Sequence, residues 1–326
     1  MMRRTLAAAT AAAASLAVVA GCTPDVPTPA TALPAQEAAA VVQSQIDRIV
    51  PATFDELAAA DAELDSRLLG ERVSGFARWV RVAEYRQRRA GDEMAIEEIP
   101  ATMQAVYTSA EVTWPRVMVG VTTQPADATP VVAFWVQEAV ESDYQLVNWA
   151  HMVPGATLPA MPGSTTGAAQ LPLDTDALPV SPEQVVADYL DLLREGPSSD
   201  LADQFEPDTY RDRLFDNRKV LTETAKKGEG NYLDTIQPSM DNTFALQTAD
   251  GGALVFAPIA ITSTIAVKNG ATVSLPSAYA PLVDGTVKDR VALQYHDFLV
   301  FHVPADPEAK PAVVAADHHL IRVTAE

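Results

Sequence analysis

Cys22 is the only cysteine among 326 residues, so no disulfide can form within the chain. Exported domains often rely on disulfides for stability. This chain must instead hold its fold through a hydrophobic core. Hydrophobic residues make up 48% of the sequence, which is sufficient for ordinary cores. At roughly 150 residues per domain, the length predicts two domains.

The surroundings of that cysteine are specific. Met1-Met2-Arg3-Arg4 is a short cationic start, and the run from Leu6 to Ala20 is apolar except for Thr10 and Ser15. A spanning helix needs about 20 apolar residues, so this run is too short for one. The pattern is that of an export signal. Val19, Ala20 and Gly21 before Cys22 resemble the bacterial lipobox, in which a branched residue and two small ones precede a thiol that accepts lipid. Residues 1–21 are then expected to be a signal peptide. Cys22 is expected to carry palmitate-type acyl chains that anchor the protein to the extracytoplasmic face of the cell membrane. Each buried methylene contributes about 0.8 kcal/mol, so two or more chains anchor stably. The plainer alternative is a secretory signal with an incidental cysteine. Residues 22–35 contain Pro24, Pro27, Pro29 and Pro34, and read as an extended tether reaching roughly 40 Å at most.

The formal net charge is −20, and −22 once Arg3 and Arg4 are removed with the signal. So acidic a surface is repelled by phosphate backbones, which argues against nucleic acid as a partner. Solubility is the simplest use for that charge.

Beyond the tether, residues 36–155 read as an N-terminal α+β domain. Gln36 to Ile49 predicts a helix that Pro51 ends or kinks, and a second runs from Thr53 through Leu57, Leu64, Leu68 and Leu69. Phe76, Trp79, Val80 and Ala83 recur at helical spacing, predicting a third helix from Gly75 to Arg89, while the alternation Trp79, Arg81, Ala83, Tyr85 would also suit a strand. Arg116–Thr123, Val131–Gln137 and Tyr144–Met152 are β-branched or aromatic runs that predict an antiparallel meander. Residues 156–181 read as a linker rich in proline, glycine and hydroxyl residues.

Residues 182–326 repeat the plan. Ser181 before Pro182 is a helix-start signal, with the stripe Val185, Val186, Tyr189, Leu190 and Leu193 behind it. A further helix covers roughly Pro207 to Lys226. Strands are predicted at Phe244–Thr248, Ala253–Val267, Arg290–Val303 and Pro311–Thr324, with Asn269-Gly270 marking a hairpin turn. Two similar α+β domains, each with helices followed by an antiparallel sheet, are similar to the cone-like nuclear-transport-factor or cystatin-like folds.

Several strings resemble a family of actinobacterial surface lipoproteins with no assigned activity. They are Arg72-Val73-Ser74-Gly75, Ala83-Glu84-Tyr85, Trp114-Pro115-Arg116, Met152 to Pro159, Thr248 to Val255, and Phe301-His302-Val303-Pro304. The resemblance implies an envelope protein. It brings no catalytic residue.

No phosphate loop, dinucleotide fingerprint, Gly-x-Ser-x-Gly elbow or His-Glu-x-x-His helix is present. No cofactor and no metal set can be read from the motifs. Of five histidines, His151 stands alone at a strand end and reads as a structural, hydrogen-bonded residue. His296 and His302 lie about 20 Å apart on one strand and cannot share a ligand. A hairpin centred near Pro307, however, would set His296 opposite His318 or His319, with Asp297 and Asp317 close by. That polar cluster, or a solvated sheet face carrying the same residues, is the sharpest site reading. Trp114, Trp135 and Trp149 predict either a hydrophobic pocket or plain core. The expectation is a non-catalytic binding or accessory protein of the cell envelope, with an envelope protein or a small hydrophobic ligand as partner. The alternative is an envelope hydrolase or metal-dependent enzyme using His296, His318 and His319.

Overall fold

The computed structural model describes residues 38–110 and 114–325. Residues Glu37–Glu326 form one compact unit. Its helices are α1 (Gln43–Glu63), α2 (Gly75–Arg89), α3 (Pro182–Glu195) and α4 (Thr209–Lys227). Its first sheet runs β1 (Met103–Thr108), β2 (Arg116–Thr122), β3 (Val131–Gln137) and β4 (Gln145–His151), an antiparallel meander in chain order. The second sheet contains β5 (Asn231–Pro238), β6 (Phe244–Gln247), β7 (Ala253–Ala266), β8 (Val283–Asp284), β9 (Arg290–Val303) and β10 (Ala312–Ala325). Its strand order is β5-β7-β9-β10-β8, with β6 pairing β7. Helices followed by antiparallel sheet, in each half, is the α+β class expected from the sequence.

Alternation along the central strands shows how the layers stack. On β2 and β3, Met118, Val131, Ala133 and Trp135 pack with α1 and α2. Their neighbours Val117, Val119, Val132, Phe134 and Val136 face the other way, against Leu254 and Phe256 of β7 and Phe298 and Val300 of β9. The opposite face of the second sheet, with Val255, Ile259, Leu299 and Phe301, takes α3 and α4. The result is helices, sheet, sheet, helices. A strand covered on both faces reads as a continuous apolar run, and Val131–Val136 is buried throughout.

Several local expectations are corrected. Pro51 does not end a helix; it lies inside the single helix α1. Ile46, Val50, Phe54, Leu57 and Ala60 form one buried stripe across it, and this packing outweighs the missing N–H. Thr53 Oγ1 donates to the Ile49 carbonyl at 2.9 Å within the same turn. The predicted second helix is the later part of α1, which runs on to Glu63, followed by a 3-10 turn at Ser66–Leu69. Asn269-Gly270 does form a turn at positive φ, but no strand returns directly from it. The partner of β7 is β9, after an irregular stretch. Strands β1 and β5 had no signal in the sequence reading. The 156–181 segment packs into the body, with bridges Ser109–Ala168 and Gln170–Leu246. The Ser181 cap holds: its hydroxyl accepts from Gln184 N–H at 3.2 Å.

Phe134 sits at the centre of the inter-sheet core, fully buried and stacked on Phe256 at 4.6 Å between ring centroids. Phe134→Ala should cost about 3–5 kcal/mol. Tryptophan fluorescence, which reports the first half, and far-UV circular dichroism, which reports both, should then shift together to lower urea. Separate transitions for the two probes would show that the sheets do not share a core.

Candidate functional site

The β9–β10 hairpin places His319 opposite His296, His318 opposite Asp297, and Asp317 opposite Phe298. Opposed residues share a face of the sheet, and successive residues alternate. The sequence-predicted cluster is therefore divided. His318 and Asp297 face α4; His296, His319 and Asp317 face α2 and the first sheet.

On the α4 side, Asp297 is 1% exposed. Its oxygens lie 2.9 and 2.8 Å from His318 Nδ1, and Oδ2 also accepts from the hydroxyl of Tyr210 on α4. Burial, reinforced by the Asp297 charge, raises the Tyr210 hydroxyl well above its ordinary pKa, so it remains a donor. Tyr295 stacks on the His318 ring at 4.0 Å. With Nδ1 held by a buried carboxylate, His318 has Nε2 left for other contacts.

On the α2 side, His296 does not join its neighbours. It is packed edge-on against Phe76 at 4.3 Å and stacked with Trp79 at 4.9 Å. Desolvation lowers its pKa to about 4. His302 lies further along the strand, shifted down by burial as well.

The densest polar group forms at the seam where β4 meets β10, and it includes residues missed in the sequence. His151 Nδ1 lies 2.9 Å from Glu97 Oε1 and 3.1 Å from Asp317 Oδ2, and its backbone N–H donates to the same Asp317 oxygen at 2.9 Å. His151 is thus hydrogen-bonded as expected, but it is not alone. Trp149 Nε1 donates to Glu97 Oε2 at 2.6 Å. From α2, the buried Arg81 bonds Glu84 at 2.6 Å and the Glu97 carbonyl at 2.8 Å, and pairs with Asp61 at 3.2 Å. His319 Nε2 lies 3.8 Å from Asp317 Oδ2 and 4.0 Å from Glu97 Oε2. Glu84, Glu97 and His319, and again Glu97, His151 and Asp317, each converge as metal-ligand types within 4.8 Å.

Hydrogen bonds from Asp317 and Glu97 raise His151 to about 10, so this imidazole is charged. Burial would raise Glu97, but the His151 hydrogen bond and the nearby histidine charges bring it down to about 2. Asp317 moves the other way, raised by burial despite its bond to His151 and pushed further by the Glu97 charge. Desolvation lifts Glu84 to about 7, against the pull of Arg81. The site thus holds carboxyls of very different proton affinity around two imidazoles, an arrangement suited to binding a cation or exchanging protons.

One signal for part of this was present in the sequence. Arg81 and Glu84 fall on the same stripe of α2 as Ala77 and Val80, which puts opposite charges on an apolar face. Glu97 sits in an irregular segment with no periodicity to mark it.

His151, Asp317 and His318 also line a cleft of about 1010 Å³, together with Tyr210, Arg213 and Leu214 of α4 and the 124–129 loop. This cleft is not the tryptophan pocket considered from the sequence. Trp135 is fully buried, donating to Thr53 Oγ1 at 3.2 Å, and Trp149 is 3% exposed. Both are core. Cys22 and the Val19, Ala20, Gly21 segment lie outside the described residues. Among the described residues, no helix is long and apolar enough to cross a membrane.

The fold and site define an α+β protein with two facing sheets and a histidine–carboxylate seam between them. Residues 33–324 match the model of a domain of unknown function (DUF8094), and the chain belongs to that family. No curated protein and no solved structure matches it.

His296 provides a pH readout of the packing on α2. Its folded pKa, about 4, lies below the roughly 6.5 expected for an unfolded histidine. Its contribution to stability is therefore complete above about pH 6.5 and is lost as pH falls toward 4. The groups whose charges act on it are Asp297 and His319. His296→Gln should flatten the decline in urea midpoint over that range relative to wild type. An unchanged slope would show that folding does not shift the His296 pKa.

Proposed function

We propose that this chain is a lipid-anchored, extracytoplasmic binding protein of an actinobacterial cell envelope, which holds a small organic ligand in the cleft beside the histidine seam. The observation that carries the binding role is the cleft itself. Its volume is about 1010 Å³, at the upper end of the range for small-molecule sites. Apolar surface from Leu214, Met152 and Val153 is combined there with a few fixed polar groups, namely His151, Asp317, His318 and Tyr210. That mixture suits a ligand with an apolar body and a polar end. The anchor rests on the Val19-Ala20-Gly21-Cys22 string and the apolar run before it.

Ala316 lines the cleft from β10. Titration with anilinonaphthalene sulfonate should give a saturable rise in dye fluorescence. Ala316→Trp, which adds bulk to the cleft wall, should weaken dye binding about tenfold while leaving the fold intact. Equal binding by wild type and variant would remove the cleft from the account. For the anchor, cells fed a labelled fatty acid should tag the wild-type chain and not Cys22→Ser. An untagged wild-type protein would end that part of the proposal.

A second reading is favoured by one contact. A histidine whose Nδ1 rests on a buried carboxylate is oriented to move a proton through Nε2, and His318 on Asp297 has that form. It would support hydrolytic chemistry with water as the nucleophile. Loss of turnover in Asp297→Asn, on any substrate found for the protein, is the measurement that favours this reading over binding alone.

A further inference from the structure

We propose that the outer face of α2 is a membrane-contact surface, which lays the folded body down on an anionic lipid bilayer. This rests on the anchoring reading above, which ties the chain to a membrane through Cys22 but leaves open which side of the body meets the lipid.

Helical spacing defines the face. At about 100° per residue, Arg78, Trp79, Val82, Arg86 and Arg89 fall within one arc of roughly 100° on α2, and no acidic residue shares that arc. Ala77, Val80, Arg81, Glu84 and Tyr85 are buried on the other side. Trp79 is 51% exposed, although its ring is backed by Phe76 and His296. Tryptophan concentrates at lipid interfaces because it combines an apolar body with one N–H donor. Leu68, on the 3-10 turn whose Ser66 carbonyl accepts from Arg78, is 43% exposed and adds apolar surface beside it.

Charge supplies the complementarity. Seven arginines and two glutamates give residues 66–89 a formal charge of +5, in a chain whose total is −20. By contrast, α1 and α3 each expose three acids and one arginine, and α4 mixes both signs. Arg78 and Arg89 donate to the carbonyls of Ser66 and Leu64, which orient a guanidinium without cancelling its charge. The acids nearby are already engaged. Asp284 lies 3.8 Å from Arg86 but is held at 2.6 Å by Arg322. Asp65, near Arg89, is held at 2.6 Å by Arg67. Glu56, which interacts with Arg78, accepts from the Arg72 N–H. Lipid phosphates are well suited to the guanidinium groups that remain. The acidic remainder of the body is repelled by the same surface, so one orientation is favoured. Reach allows it: residues 22–35 extend to roughly 40 Å, and α1 is about 30 Å long. A short tether also holds the body at an effective concentration of about 1 mM near the membrane, so a weakly binding face is enough.

The test uses the mature chain, residues 22–326, carrying Cys22→Ser, so that neither a signal segment nor acyl chains contribute. Vesicles of phosphatidylglycerol and phosphatidylcholine in equal parts should carry it down on sedimentation, with half-saturation at about 1 mM accessible lipid or below. Pure phosphatidylcholine vesicles should bind it at least about tenfold more weakly, and about 0.5 M salt should release it from both. Tryptophan emission should shift to the blue on binding and be quenched by brominated lipid, and Trp79→Phe should remove both changes. Arg86→Gln together with Arg89→Gln should weaken binding about 25-fold, at roughly fivefold for each charge. Both positions are on the surface, and thermal melts establish that each variant folds. No binding at several millimolar lipid, equal binding to the two compositions, binding unchanged by the double substitution, or an emission change that survives Trp79→Phe would each overturn the proposal. Acylation of Cys22 is read separately by the fatty-acid label, and Ala316→Trp should bind vesicles as wild type does. Failure here therefore leaves the anchor and the cleft readings standing.

Discussion

The contact between the two sheets is the constraint on which the rest depends. With no disulfide available, residues 37–326 stay together through apolar surface, and Phe134 lies in the middle of it, stacked on Phe256 and tilted against Phe244 and Phe298. Aromatic pairs of this kind contribute roughly 0.5–1.5 kcal/mol each beyond the area they bury. The same packing brings the end of β4 beside β10, where Met152 bridges Ala315 and the Val153 N–H donates to the Val314 carbonyl. His151 and Asp317 meet only because of that approach. The seam chemistry is a product of tertiary packing, and neither strand carries it alone.

That chemistry has an energetic cost. Arg81 is 1% exposed, and Glu84 is buried beside it. Withdrawing charges from water is expensive, and a buried ion pair often stabilises no more than an apolar substitute would. Removing one partner is much worse, at about 3–5 kcal/mol, because the other is left uncompensated. The Arg81, Glu84, Asp61 and Tyr85 group on the α2 side is therefore difficult to explain as a stability device. It is better explained as a frame that keeps Glu84 and Glu97 in position. Burial sets carboxyls of unlike proton affinity side by side, a condition ordinary surface ion pairs do not reach.

Much of the fold was legible in the sequence because the signals were local. The helical spacing of Phe76, Val80 and Ala83 gave α2, Ser181 before Pro182 gave the start of α3, and unbroken β-branched runs gave β2, β3, β7 and β9. The failures also have local causes. Strand β5 carries Asn231, Asp234, Gln237 and Pro238, and it lies at a sheet edge where alternate residues face solvent, so it has no hydrophobic run. Helix α1 contains a proline that its buried stripe overrides. In the site, the pairing of the β9–β10 hairpin could be anticipated from the position of its turn. The partnership of His151 with Glu97 could not, because it joins a strand end to an irregular segment 54 residues earlier in sequence.

The hairpin turn alone left two registers open, and a small backbone feature decides between them. Before Val313 the pairing follows one register; between Val313 and Ala315 it shifts by one residue, and from Ala315 to Leu320 it runs regularly. A one-residue shift in a strand moves every following side chain to the other face. Without the bulge, Asp317 and His319 would point toward α4 and His318 toward α2. The seam would then lose Asp317 and His319 and gain only His318, and Asp297 would lose its partner. The bulge thus allots neighbouring residues of one strand to two different environments: His318, oriented by Asp297 and Tyr210 at the cleft, and His319, set among the acids of the seam. A bulge that re-aims side chains beside a polar site is more readily understood as part of how that site is built than as an accident of pairing.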